Sequence, residues 1–416
     1  MIRILDSRDA QRLLKRRAAR LEEAEATVRP ILEDVRRRGD AALLEYARRF
    51  DGFEGRSVLV PREQLEAAAR GLGRAFRAAL RTSERNVAAF ARMQLPRPKR
   101  ISPMPGLRLS QIVRPVDAAA AYIPSGRYPL PSTVVMTVAP ARVAGVETIM
   151  VCTPRPSPEI FGAAHLLGAT HVFQMGGAHA IAAFAFGTKT VPRADRIVGP
   201  GNIYVAAAKK LLAGETGIDF VAGPSEILLI ADEGDPRAIA ADMLAQAEHD
   251  TDAAAILLTP SRRLARAVAA ETGRQLEGLP TAATAREALR RNSAIIIVSG
   301  LDEAIELSNR FAPEHLSVPD ASWLGRVRHA GSVFVGPYSP EAAGDYVSGP
   351  NHVLPTSGAA RLRGGLSAAD FVKVISVQQL TPAALRRLAP AVATLARAEG
   401  LEAHARSVEI RFGKEF

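Results

Sequence analysis

Residues Glu147–Gly199 read ETIMVCTPRPSPEIFGAAHLLGATHVFQMGGAHAIAAFAFGTKTVPRADRIVG. Three short apolar runs, at 147–152, 171–175 and 195–199, alternate with stretches of helical period at 159–168 and 178–187. The runs are apolar at nearly every position, so both faces of each strand must be covered. That is the mark of parallel strands sandwiched between helices, and the alternation predicts an α/β fold with doubly wound sheets. The same grammar continues outward. Strands are expected at 227–231, 254–259, 294–299 and 332–335, and helices at 202–213, 236–249, 262–277 and 302–311. So many strands suggest two such sheets rather than one, and no internal sequence repeat stands out. Upstream, residues 1 to about 95 read as helices, with Ile31, Val35, Leu43, Leu44, Tyr46 and Phe50 marking apolar faces. The Pro-rich, strand-like text of 96–114 is a plausible junction.

Composition narrows the classes. The chain has 416 residues, 47% hydrophobic, which excludes a disordered chain; its length argues for two or three compact units. No apolar run is long enough to span a membrane. Charges interrupt the N-terminal MIRILDSRDAQRLLKRR, so it is not expected to be a signal peptide. The single cysteine, Cys152, leaves no disulfide framework or thiolate cluster, and a cytoplasmic protein is expected. The net charge of +11 comes mostly from Arg interleaved with acids on helix faces. With aromatics at only 5%, no nucleic-acid partner is expected.

Chemistry-bearing residues gather in a few segments. The dinucleotide fingerprint G-x-G-x-x-G is absent. In its place stand GPGNIY (199–204) and GGAHAIA (176–182), each opening a helix where backbone N–H groups could approach an anion or simply turn the chain. YIPSGRYPLPST (122–133) is a third loop of this kind. Ligands of open parallel sheets sit outside the carboxyl ends of strands, so these loops are the first place to look. In DPRAIAADMLAQAEHD (235–250), Asp235 caps and Pro236 opens a helix. Ile239, Met243, Gln246 and His249 then follow one stripe, as a core pair or as two ligands of one metal. In FAPEHL (311–316) the helix must end before Pro313. Glu314 and His315 are left adjacent on a short loop, natural acid–base groups near neutral pH. Asp345 and His352 fall in a long Gly- and Pro-rich loop, 331–356, of the kind usually kept for function. Glu399 and His404 lie five apart near the C-terminus, a spacing that by itself reads as a surface helix. Gln246, His249, Asp345 and the histidines form an N/O donor set suited to Zn²⁺ or a similar ion.

Taken together, GPGNIYV, AGPSEILLIAD, QAEHD, APEHL, AGDYVSGPNHVLPT and EGLEAHARSV resemble the histidinol dehydrogenase family, in order, from about residue 20 to 412. The resemblance implies oxidation of L-histidinol to L-histidine through L-histidinaldehyde, the final steps of histidine biosynthesis. It implies NAD, one zinc per subunit, and a homodimer whose active site is shared between subunits. It implies two incomplete Rossmann-like sheet domains with extensions: a helical tail at 1–20, a first domain from 21–114 with 226–367, a second at 115–225, and a C-terminal extension at 368–416 that reaches the partner.

By the same resemblance, Gln246, His249, Asp345 and His404 are the expected zinc ligands, His404 coming from the partner subunit. Glu314 and His315 are the expected catalytic pair. Ser225, Gln246, His249, His315, Asp345, Glu399 and His404 would contact substrate, and Tyr122, His179 and Asn202 the cofactor; His352 would support the site from behind. Position 179 departs from the family pattern, in which Gln is usual, and Ser125 stands where Gly is common. A related dehydrogenase of another alcohol, a zinc hydrolase using Glu314 to activate water, and a non-catalytic binding module are the competing readings.

Overall fold

The computed structural model describes residues 2–10, 19–125, 128–221 and 223–413. They divide into two compact units, Met1–Gln94 with Val116–Phe371, and Leu95–Pro115 with Val372–Phe416. The first unit holds two parallel sheets. One is ordered β1 (Arg3–Asp6), β11 (Ala294–Ile297), β10 (Ala254–Thr259), β9 (Glu226–Ile230), β12 (His315–Val318), β13 (Ser332–Val335). The other is ordered β6 (His171–Gln174), β5 (Thr148–Thr153), β4 (Ala118–Tyr122), β7 (Arg196–Val198), β8 (Gly217–Ile218).

Leaving aside β1, both sheets are wound alike. Three consecutive strands run one way from a central strand, and the next two run the other way. Each sheet therefore has a switch point, between β9 and β12 and between β4 and β7. The expected two-sheet α/β class holds, and the duplication the sequence hides is visible as shared strand order. Strands β5, β9 and β10 are buried over nearly their whole length, as sheets covered on both faces require. Among the described residues, no helix is long and apolar enough to cross a membrane.

Several local expectations are corrected. The N-terminal segment is not a helical tail throughout, because Arg3–Asp6 adds a parallel edge strand beside β11; residues 11–18 lie outside the described ones. The expected first domain joins residues 21–114 to the 226–367 sheet. Instead Ala19–Arg38 packs on Gly177–Phe186 and Ile203–Leu212, and Arg62–Gly71 packs on Pro158–Leu167, all around the 118–218 sheet. Val28, Leu32, Val35 and Leu43 share one core with Phe173, Ile181 and Phe184. Their apolar stripe is buried wherever it finds a complementary face, and chain proximity does not decide that. The second unit is an antiparallel sheet, β14 (Val372–Leu380), β3 (Leu107–Pro115), β2 (Lys99–Met104), with helices Pro382–Ala398 and Glu402–Glu409.

The loops at the β4/β7 switch are held from within. Gly199, at φ +105°, lies so close to β4 that a Cβ there would stand 2.3 Å from the Tyr122 carbonyl oxygen. Its N–H donates to Asp219 Oδ2 at 2.8 Å, and its carbonyl accepts from Lys209 Nζ at 3.0 Å. Lys209 and Asp219 form a buried ion pair. Removing one partner of such a pair strands the other charge in the interior. Lys209→Met should therefore cost about 3–5 kcal/mol in chemical denaturation; a loss below about 1 kcal/mol would show that the pair does not hold the loop.

Candidate active site

Only Glu314 of the Glu-His pair lies on the short connecting loop that the sequence predicts. His315 opens β12 and Glu314 immediately precedes it; both are buried, at 3% and 5% exposure. The helix Leu301–Phe311 ends at Ala312 in the left-handed region (φ 54°), and Pro313 then sends the chain straight into the strand. Ala312 and Ser357 are the non-glycine residues at positive φ among those described, and both border this site. Ser357 N–H donates to Glu226 Oε1 at 3.0 Å, and Glu226 N–H donates to Glu314 Oε2 at 2.8 Å. Backbone strain held at two such places is characteristic of a site over-determined by its surroundings.

Around His315 the donors and acceptors sort themselves. Its Nδ1 lies 3.3 Å from the Glu226 carbonyl oxygen, 3.3 Å from Glu341 Oε1 and 3.8 Å from Glu314 Oε2. Three acceptors place a proton on Nδ1. Nε2 is buried without a hydrogen-bond partner among the described residues, 3.6 Å from Asp345 Oδ1. A buried ring nitrogen left open beside a carboxylate is a reacting or binding atom in waiting.

Gln246 sits in the last turn of the helix Pro236–Ala247, capped by Asp235 as the sequence implies, and is completely buried. The helix stops two residues short of the expected 249, so His249 stands just past its end with an exposed ring. The Gln246 amide faces Glu341, and the orientation that satisfies both ends turns its nitrogen to donate to Glu341, at 2.5 Å to Oε1 and 3.3 Å to Oε2, which leaves its carbonyl oxygen for another partner. The 331–356 segment is less irregular than expected, for Glu341–Tyr346 is a short helix carrying both Glu341 and Asp345. His249 Nε2 is 3.9 Å from Asp345 Oδ2. Donor atoms of His249, Glu341 and Asp345 all fall within 4.8 Å of one another. Bonds of about 2.1 Å in a tetrahedral site set donors about 3.4 Å apart, so a modest contraction would close this set around a divalent cation.

His352 braces the short helix. Its Nδ1 donates to the Asp345 carbonyl oxygen at 2.7 Å, and Thr133 Oγ1 lies 3.2 Å from its Nε2. Burial holds His352 below the ordinary imidazole range, so it is neutral there. Thr133 starts the helix that follows the β4 loop, so this bond ties the carboxyl edge of one sheet to the amino edge of the other. The Glu314–His315 pair lies at the amino ends of β9 and β12, not at the carboxyl ends where ligands of open parallel sheets usually sit. Ser225, half-buried, immediately precedes β9 on the same edge.

The electrostatics follow from packing acids together. Burial raises Glu314 to about 7 despite the neighbouring His315, and raises Glu341 to about 8. Burial disfavours the charged form of His315, but Glu341, Glu314 and Asp345 outweigh it and push the ring up to about 10. Burial also works against the charge on Asp345, yet His315 holds it below the usual carboxylate range. Asp242, one turn before Gln246, is raised to about 6 by burial. Glu341 is the residue sequence reasoning missed; its only local mark is the four-residue spacing to Asp345, which puts both on one helix face.

The expected cofactor residues are differently placed. Tyr122 is buried, its phenol pushed upward by burial, and its hydroxyl oxygen accepts the Gly177 N–H at 3.2 Å. His179, 1% exposed, lies 2.9 Å from Asp51 Oδ2, which also accepts the Gly176 N–H at 2.9 Å. The amides of Gly176, Gly177 and Gly199, offered by the sequence as anion cradles, are thus filled by the chain's own oxygens. Asn202 caps Ile203–Leu212, accepting from Tyr204 and Val205 N–H at 3.0 and 3.1 Å, and is exposed beside Ile203 and Tyr204. Cys152 is buried and its thiol is raised by burial, which leaves it unreactive. Glu399 and His404 belong to the second unit, each exposed, at the end of Pro382–Ala398 and on Glu402–Glu409.

The chain matches the family described as histidinol dehydrogenase over residues 14–412. It is 45% identical to a histidinol dehydrogenase of Bacillus anthracis, over 97% of this chain and 96% of that one. It is 48% identical to one of Thermus thermophilus, over 93% and 94%. A crystal structure of histidinol dehydrogenase from Elizabethkingia anophelis superposes with a TM-score of 0.94 at 34% identity, covering 99% of this chain and 98% of that one.

Glu314, Glu341 and His315 all hold their protons more tightly in the folded chain than at their ordinary values. The folded state therefore loses stability as pH rises, from 4.5 to about 7 for Glu314, 4.5 to about 8 for Glu341 and 6.5 to about 10 for His315. The thermal midpoint of the metal-free protein should fall between about pH 5 and about pH 9, and Glu341→Gln should flatten that slope. A midpoint that climbs across this range would contradict the assignment.

Proposed function

The chain belongs to the histidinol dehydrogenase family, and from that premise we propose that it oxidises L-histidinol to L-histidine by way of L-histidinaldehyde. The reaction removes four electrons in two steps and is the end of histidine biosynthesis. The observation that carries the reading is the buried Glu314–His315 pair facing a nitrogen- and oxygen-bearing cluster. The donor chemistry fits zinc: Gln246, His249 and Asp345 would hold it, with His404 of the partner subunit completing the set. Bound there, the ion supplies an electrophilic anchor for the amine and imidazole nitrogens of histidinol.

His315 works from Nε2, because Nδ1 is committed to Glu341 and the Glu226 carbonyl. It takes the alcohol proton as the carbinol carbon gives up its hydride to NAD. In the metal-free chain the surrounding carboxylates keep His315 charged; offsetting the charge of Asp345 brings the ring toward the neutral form that accepts a proton. Glu314, raised to about 7, is poised to take a proton near neutral pH. It draws that proton from a water that adds to the aldehyde carbonyl. The resulting hydrate anion then gives a second hydride to a second NAD and releases its remaining hydroxyl proton, leaving the carboxylate.

Ser225 and Glu399 would complete substrate recognition, Glu399 coming with His404 from the partner in a homodimer. NAD would lie at the β4/β7 switch, where Asn202 is exposed. Tyr122 and His179 would serve it by holding the Gly176–Gly177 turn. The expected setting is the cytoplasm.

Purified protein given histidinol should form two NADH per histidinol consumed. One NADH per alcohol points to a related dehydrogenase, and none with any alcohol points to a hydrolase. Glu314→Gln should slow the aldehyde step at least about 100-fold while sparing the alcohol step more; equal loss in both rejects its role with water. Mixed His249→Asn and His404→Asn proteins, each inactive alone, should recover activity after subunit exchange, and no recovery after proven exchange would place His404 outside a shared site.

A further inference from the structure

Glu341 is the least economical residue in this site unless it has work to do there. Its side chain is 2% exposed, and it is surrounded by Glu314 and Asp345 as well as His315. A buried carboxylate is costly wherever it lacks a specific partner. It has two. The Gln246 amide, turned with its N–H₂ toward Glu341, reaches Oε1 at 2.5 Å, and His315 Nδ1 lies 3.3 Å from the same Oε1.

Building on the proposed zinc site, we propose that Glu341 is its positioning residue. One carboxylate fixes two groups with different duties, turning the Gln246 amide so that its carbonyl oxygen is available as a ligand, and fixing His315 so that Nε2 is the open atom. The amide has two ends, and only the orientation with nitrogen toward Glu341 satisfies both. The imidazole likewise has two nitrogens, and the acceptors crowd one side. The element that carries Glu341 also carries Asp345, four residues on, so ligand and positioning group move as one piece. His352 pins the end of that piece through the Asp345 carbonyl. Partners that orient ligands in this way commonly account for 10–100-fold in metal affinity.

The competing role for Glu341 is direct ligation, since one of its oxygens lies within 4.8 Å of donor atoms of His249 and Asp345. Cobalt replacing zinc separates the two. Glu341→Gln protein should keep the visible cobalt spectrum of the unaltered protein, because the ligand set is unchanged. It should bind cobalt and zinc about 10–100-fold more weakly in chelator competition, and show a lower kcat with a smaller change in KM. Glu341→Asp should recover part of both losses. A cobalt spectrum altered as in His249→Asn would make Glu341 a ligand and overturn the proposal, as would unchanged metal affinity together with unchanged kcat.

The contact to His315 can be read without metal. Proton NMR of the metal-free protein should show a downfield imidazole N–H resonance that disappears in Glu341→Ala and survives in Glu314→Gln. If the unaltered protein bound neither metal nor oxidised histidinol, the proposed function would fall, and this resonance would still decide the role of Glu341. Its persistence in a folded Glu341→Ala protein would refute the positioning role.

Discussion

Two buried carboxyl groups, Glu314 and Glu341, and the half-buried Asp345 surround the buried imidazole of His315. Everything else in the site is an answer to that concentration of negative charge. Burial, with repulsion between the acids as a smaller contribution, makes Glu314 and Glu341 retain protons well above the ordinary carboxylate range, while the same acids overcome the burial of His315 and push its ring toward the charged form. A cluster of this kind is expensive to fold without a compensating cation. The exposed ring of His249 marks where the cluster opens to solvent. The same arrangement supplies an acid–base group near neutrality, an open imidazole nitrogen and a set of oxygen and nitrogen donors.

The fold makes the cluster possible by joining unlike edges of two like sheets. Both sheets reverse direction beside their central strand, but Glu314 and His315 sit at the amino ends of β9 and β12, while the expected cofactor loops leave the carboxyl ends of β4 and β7. The Thr133–His352–Asp345 relay crosses between them. The β4/β7 loops are set by internal charges, Asp219 with Lys209 at Gly199 and Asp51 with His179 at Gly176. A dinucleotide here would be held by side chains and the edges of loops, without the glycine cradle that usually takes a pyrophosphate.

Much of this was legible in the sequence where the information is local. The strands of 148–153, 254–259 and 332–335 follow from unbroken apolar runs, and the helix before His249 from its Asp-Pro start. Strand β4, Ala118–Tyr122, escaped notice because four alanines carry no β-branched signature. β12 escaped because Pro313 makes FAPEHL read as a loop, and its strand character comes only from pairing with β9 and β13. Glu341 is indistinguishable from a surface acid until its neighbours are assembled. His179 looked available to a ligand because its partner, Asp51, lies 128 residues away.

The most direct test is anomalous diffraction at the zinc edge from crystals of the zinc-loaded protein. A single strong peak bonded to His249 and Asp345, with the Gln246 carbonyl oxygen turned toward it and His315 alongside, is the result expected. A zinc peak bonded elsewhere, with the three carboxylates and His315 left as they are, would contradict the account.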